Sequence, residues 1–219
     1  MNETPDAAAS SQAAPPVQPD NTARFTGLAE SYQKYRPDYP PEALAAVAAY
    51  WAAVPGVPRR LADIGGGTGI SARAMLAALD EMGGGAWTAQ VVEPNDDMRG
   101  QAEQALADRP DVTVAKGTAE VLPFADGEIG LLMAAQAAHW FDRPKFYAEA
   151  KRVLAPGGVM LILFNNRELY NDPLMAAFEE QVETSVEGYW RTYRSWNLMA
   201  ELHDLDWPAD VTEIVHPWV

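Results

Sequence analysis

The run Asp63-Ile64-Gly65-Gly66-Gly67-Thr68-Gly69 concentrates unusual backbone freedom in one loop. Glycine admits positive φ and lets a ligand approach the main chain closely. ISARAMLAALDEM (70–82) follows directly and reads as a helix. Its first-turn N–H groups lack internal partners and suit a carboxylate or phosphate. Four glycines in five positions exceed what a plain strand-to-helix turn requires. A dinucleotide is disfavoured, because G-x-G-x-x-G needs a third glycine where this chain has Ile70.

Other side chains lie near the ends of predicted strands. Glu93 follows Gln90-Val91-Val92, and its carboxylate can accept hydrogen bonds from a ribose diol. His139 sits in Gln136-Ala137-Ala138-His139-Trp140-Phe141-Asp142. It reads first as a hydrogen-bonded structural histidine and second as a general base for a hydroxyl or amine acceptor. A carboxylate acceptor is already ionised and needs no base. Trp140 and Phe141 read equally as walls of a site or as core. Tyr32 and Arg36 are four apart, so they share a helix face. The planar fork of Arg36 suits a carboxylate, or else an exposed salt bridge worth under about 1 kcal/mol. Tyr189, Trp190, Arg191, Tyr193 and Arg194 mix cations with aromatics, as a lid over a small anion or an ordinary surface would.

The elements that must position these groups alternate. Strands are predicted at 60–65, 89–94, 112–117, 128–136 and 159–164, with helices at 70–82, 97–109 and 143–154 between them. Strand-helix-strand repetition means βαβ units and a mostly parallel sheet with helices on both faces. Ligands of such a sheet lie beyond the carboxyl ends of the strands, where the loops above fall. Leu28, Tyr32 and Tyr35 predict a short helix that ends before Pro37, and 42–53 predicts another. Helices are also predicted at 172–186 and 195–205, with a weak strand within 211–219.

The chain has 219 residues, no cysteine and a formal charge of −15. Disulfides and thiolate chemistry are excluded. The acidic balance argues against nucleic acid as a partner. No apolar run is long enough for a membrane span, and the first residues do not read as a secretory signal. A cytoplasmic protein is expected, monomeric or homodimeric. Residues 1–22 are Ala-, Pro-, Ser- and Gln-rich and predict a disordered tail, with order beginning near Phe25. The rest, 23–219, divides into a helical cap (23–56), a core (57–164) and a lid with a possible last strand (165–219).

D-I-G-G-G-T-G, V-V-E-P, G-T-A-E-V-L-P-F and R-V-L-A-P-G-G together resemble the class I S-adenosylmethionine-dependent methyltransferases. F-x-x-x-A-x-x-Y-x-x-Y-R-P-D-Y-P and Q-A-A-H-W-F-D narrow the likeness to the methyltransferase type 11, trans-aconitate methyltransferase-like group. The resemblance implies a Rossmann-like α/β fold and methyl transfer from S-adenosylmethionine to a small molecule, a carboxylate or hydroxyl favoured. A degenerate cofactor-binding protein is the alternative, since the C-terminal strand pair usual in the class reads as incomplete. By resemblance, Asp63, Gly65, Gly66, Gly67 and Gly69 form the loop that holds the methionine portion, and Glu93 takes the ribose. Pro94, Asn95 and Met98 line the adenine, with Thr118 and Ala119 at its edge. Gln136 lies beside the methyl donor, and Tyr32 and Arg36 belong to a segment covering the cofactor. Tyr39, Trp140 and Phe141 are assigned to the acceptor side.

Overall fold

The computed structural model describes residues 22–83 and 86–164, together with the backbone of Thr212–Glu213. The expectations for residues 1–21, for the helices at 172–186 and 195–205, and for the Tyr189–Arg194 group lie outside the described residues.

Two helices precede the sheet: α1 (Ala29–Tyr35) and α2 (Pro41–Ala53). Proline opens α2, where its missing N–H costs nothing. Ala43, Leu44, Val47, Ala48 and Trp51 recur at helical spacing and are buried. Then follow β1 (Arg60–Ile64), α3 (Ile70–Met82), β2 (Thr88–Val92), α4 (Asp96–Ala105) and β3 (Val112–Ala115). The series continues with β4 (Ile129–Ala135), α5 (Arg143–Val153), β5 (Leu154–Leu163) and β6 (Thr212–Glu213). All pairings are parallel, in the spatial order β3-β2-β1-β4-β5-β6. The chain winds outward from β1 through β2 to β3, then restarts at β4 on the other side. The switch point therefore lies between the carboxyl ends of β1 and β4, as Asp63↔Met133 register shows.

Strand β4 is buried at every position, as a central parallel strand covered on both faces must be. Side chains alternate across it. Leu131, Met133 and Ala135 pack with α2 and α3 residues such as Trp51, Met75 and Leu79. Leu132 and Ala134 pack with Phe146, Ala150 and Val153 of α5.

Several boundaries differ from the sequence expectation, α4 ending at Ala105 where the helix was expected to reach Arg109 among them, and two have a visible cause. The expected helix through Leu154 and strand from Val159 give way to α5 ending at Val153 and β5 starting at Leu154. Leu154 already pairs with Ile129, and the ladder then jumps to Leu131↔Val159, so Ala155-Pro156-Gly157-Gly158 is an excursion within the strand. At the N-terminus, Thr22–Phe25 form a 3-10 turn, so Thr22, which the sequence reading placed in the tail, is part of the fold. A tertiary contact explains this: Asn95 Nδ2 donates to the Thr22 carbonyl at 2.7 Å.

Gly130 has a different cause. A Cβ there would collide with the Pro58 carbonyl and lie 2.8 Å from Trp51 Nε1 and 2.9 Å from Val57 Cγ1. The α2–β1 connection crosses directly over this glycine, and its backbone cannot give way. Gly130→Ala is expected to destabilise the protein by about 3 kcal/mol or more, read as a lowered denaturant midpoint at unchanged m.

Candidate functional site

The loops after β1, β2 and β4 meet at the switch point, and the N-terminal segment lies over them. Gly65, Gly67 and Gly69 adopt φ of 64°, 56° and 83°. A Cβ on Gly65 would strike Ala137 Cβ at 2.8 Å and Phe141 Cζ at 3.2 Å. One on Gly66 would meet Asp63 Oδ2 and Val91 Cγ1, both at 2.8 Å, and one on Gly69 would meet Leu106 Cδ1 at 2.7 Å. Internal packing thus accounts for three of the four glycines. Only Gly67 has room, with Met98 Cε at 3.4 Å, and there the conformation is the constraint.

Asp63 is fully buried beneath this loop. Its Oδ2 accepts from Ser71 Oγ at 2.6 Å, and its Oδ1 has no hydrogen-bond partner among the described residues. Burial pushes its carboxyl up to about 7; the hydrogen bonds from Ser71 and the Ala72 backbone oppose this, and the Glu93 charge adds to it.

Glu93 is buried at the end of β2. Oε2 accepts from Gly67 N at 3.0 Å and Oε1 from Asn95 N at 2.9 Å. Burial raises its carboxyl above the usual range, while those two N–H groups and the Arg99 guanidinium pull it down. A carboxylate offers about four lone-pair sites, so two remain for further donors.

Asn95 links this loop to the cover. Its Oδ1 caps α4 by accepting from Met98 N at 3.0 Å, and its Nδ2 donates to Thr22 O at 2.7 Å and Thr26 Oγ1 at 3.0 Å. Gly27 N adds a bond to Asp97 Oδ2 at 2.7 Å. Phe25 meets Tyr32 and Trp140 edge-on, each with centroids 5.9 Å apart. The aromatic span therefore runs from α1 to the loop after β4. Phe25 is a contributor that the sequence reading missed; its seven-residue spacing from Tyr32 was the available signal.

Arg36 lies at the C-cap of α1 with its guanidinium 5.3 Å from the centre of the Tyr32 ring. Its Nε is buried with no hydrogen-bond partner among the described residues. Tyr32 and Tyr39 are both held above the usual phenol range, mainly by burial, and both feel the charges of Arg36 and Asp63. The two phenols are therefore neutral donors at physiological pH.

His139 sits in a 3-10 turn, Ala138–Trp140, against the rings of Trp140 (4.7 Å) and Phe164 (5.6 Å). Burial, and then the Arg36 cation, hold its imidazole down to about 4, so the ring is neutral at pH 7. Gln136 ends β4 with φ of 55°, a strained choice for a non-glycine residue, and its N–H donates to Leu163 O at 2.7 Å.

The structure brings Asp63, Gly67, Glu93, Asn95, Met98, Tyr32, Arg36 and Tyr39 near one another through the contacts and charges above. Phe141 packs edge-on against Phe146 at 4.9 Å and lies under Gly65, so its ring belongs to the core. Ala119 is buried in the same cluster as Val92 and Phe124, whereas Thr118 is exposed. Pro94 is half-buried beside Glu93.

The donor set fits an amino-acid nucleoside. An unsatisfied acceptor on Asp63 and an unsatisfied donor on Arg36 are complementary to an ammonium and a carboxylate. The spare lone pairs of Glu93 are complementary to vicinal hydroxyls. Among the described residues, no helix is long and apolar enough to cross a membrane.

Residues 62–162 match a family model described as a methyltransferase domain. An uncharacterized methyltransferase of Mycobacterium tuberculosis is 33% identical over 150 residues, covering 68% of this chain and 55% of the relative. A putative methyltransferase of Dictyostelium discoideum is 29% identical over 181 residues, covering 79% of this chain and 62% of the relative. Among solved structures, a putative type II methyltransferase from Anaeromyxobacter dehalogenans superposes with a TM-score of 0.52 at 25% identity, over 68% of this chain and 57% of that one. The chain spans 55% and 62% of the length of these two curated relatives.

Asn95→Ala removes a helix cap and two anchors of the cover together. We expect a loss of about 1–2 kcal/mol in stability and faster amide hydrogen exchange confined to residues 22–36.

Proposed function

We propose that this chain, whose residues 62–162 match a methyltransferase domain, transfers a methyl group from S-adenosylmethionine to a small acceptor, a carboxylate in preference to a hydroxyl. The observation that carries this reading is the pair of buried, unsatisfied polar atoms, Asp63 Oδ1 and Arg36 Nε, whose charges are both felt at Tyr32 and Tyr39. Buried polar groups are otherwise paired, so atoms of opposite character beside a glycine bend are best explained by a zwitterion that completes them.

When bound, the donor supplies a methyl carbon activated by the adjacent sulfonium. Asp63 accepts from its ammonium group, and Arg36 pairs with its carboxylate. Glu93 accepts from the ribose hydroxyls through the lone pairs that Gly67 and Asn95 leave unused. Met98 lies against the glycine bend on the side assigned to the base. The cover formed by Phe25, Tyr32 and Trp140 excludes water, and exclusion strengthens each of these electrostatic contacts.

The acceptor's class follows from His139. A hydroxyl must lose a proton during transfer, and an imidazole held near 4 is a weak base for that purpose. A carboxylate oxygen needs no base. With the donor bound, transfer to such an oxygen would move no proton, so the chain would need to supply neither acid nor base. What remains for the protein is proximity and alignment, which alone can be worth several orders of magnitude in rate. His139, neutral, is left as a hydrogen-bonding wall beside Trp140.

Calorimetry with S-adenosylhomocysteine tests the donor site, and absence of binding by folded protein overturns it. Glu93→Ala is expected to weaken that binding by about 1–3 kcal/mol, because the ribose hydroxyls lose their acceptor.

Labelled-methyl transfer over a panel of aliphatic carboxylates and hydroxyl compounds tests the acceptor. Carboxylates should be the better substrates, and His139→Ala should slow them little. Hydroxyl acceptors that dominate and lose activity in this variant would reverse the assignment.

A further inference from the structure

Ser71 is 4% exposed and lies in the first turn of α3. Its hydroxyl donates to Asp63 Oδ2 at 2.6 Å across the β1–α3 turn. The Ala72 backbone N–H, in the same turn, also favours the ionised Asp63 carboxyl. Gly66 lies so close to Oδ2 that a side chain there would meet it at 2.8 Å, so this oxygen is enclosed by protein on both sides. Oδ1 has no partner among the described residues.

The two carboxylate oxygens are thus unequal: Oδ2 accepts from Ser71, while Oδ1 has no partner among the described residues. We propose that Ser71 is a positioning residue of the donor site, whose hydroxyl takes Oδ2 of Asp63 and so reserves Oδ1 for the ammonium group of the bound nucleoside. The proposal rests on the assignment of this crevice to S-adenosylmethionine.

The hydroxyl also bears on whether Asp63 carries a charge. The groups around the carboxyl are Glu93 at the end of β2, Tyr32 and Arg36 of α1 and its cap, Tyr39 after it, and Ser71 with the Ala72 N–H on α3. Burial and Glu93 favour the neutral acid, while Ser71 and Ala72 favour the carboxylate. The balance leaves Asp63 titrating near about 7. An ammonium group is bound by the ionised form, so affinity should rise with pH through that region. Removing the hydroxyl takes away one of the two donors that favour ionisation, so the midpoint must move to higher pH.

The test is S-adenosylhomocysteine affinity by calorimetry between about pH 5.5 and 9, a range that brackets the Asp63 titration. It is run on the whole chain as wild type, Ser71→Ala, Ser71→Thr and Asp63→Asn. Wild type should gain affinity through a midpoint near about 7. Ser71→Ala should move that midpoint up by about one pH unit, weakening binding several-fold at neutral pH and recovering it in alkali. Ser71→Thr should restore the wild-type midpoint. Asp63→Asn should flatten the profile and so report whatever the ligand's own groups contribute.

The ¹³C resonance of the Asp63 carboxyl, assigned by its loss in Asp63→Asn, gives a ligand-free readout of the same shift. A merely structural Ser71 would lower Tm and leave both midpoints in place, and that result overturns the proposal. If wild type fails to bind at every pH, the donor assignment falls, and the carboxyl titration still decides whether Ser71 controls Asp63. Should Ser71→Ala not fold, Ser71→Cys, with its weaker donor, should give an intermediate shift, and an unshifted carboxyl in that variant overturns the proposal equally.

Discussion

The site depends on one buried carboxylate accepting two main-chain N–H groups. Glu93 stands at the end of β2, where burial penalises its charge, and Gly67 N and Asn95 N offset that penalty at 3.0 and 2.9 Å. One bond ties the loop after β1 to the loop after β2; the other fixes the turn into α4. Asn95 then caps α4 and holds Thr22 and Thr26. The glycine bend, the α4 N-terminus and the N-terminal cover are thereby set relative to one another through Glu93 and Asn95. A ligand that takes the remaining lone pairs of Glu93 enters a frame already built, and the ordering cost of its site is met during folding.

The glycine loop illustrates how packing and ligand access share one motif. Gly65 is small because Ala137 and Phe141 approach it, Gly66 because Asp63 and Val91 do, and Gly69 because Leu106 does. Their job is to let three elements close around β1 at the switch point. Gly67 alone is spared such a neighbour, and it is also the one whose N–H reaches Glu93. Glycine abundance in a strand-to-helix loop therefore reports close approach, and here most of that approach is by the protein itself.

What was legible in the sequence was what short-range physics decides. The strand at Arg60–Ile64 and the helix at Ile70–Met82 follow from periodicity and glycine punctuation, and the structure has them within a residue of expectation. The meeting of the loops after β1, β2 and β4 at one edge followed from the topology of a parallel sheet. The departures with a visible cause turn on long-range contacts. Thr22 is ordered by Asn95, more than seventy positions away. Leu154 joins a strand because Ile129 is beside it, despite the Pro-Gly-Gly that follows. Phe141 faces Phe146 and Gly65, and nothing in H-W-F-D shows which of its aromatics turns inward. Asp63 sits in a strand where alternation alone predicts burial, yet its hydrogen bond to Ser71 needs the α3 register to be known.

Arg36 shows why charge within a site must be read collectively. On an acidic chain of net charge −15, a guanidinium half-buried at the end of α1 is costly unless something anionic shares its surroundings. Asp63 and Glu93 supply part of that field, since both act on the same Tyr32 phenol that Arg36 does. The same cation adds to the burial that holds the His139 ring neutral. One guanidinium thus acts on both the Tyr32 phenol and the His139 imidazole, so the protonation of neither is set by its own burial alone.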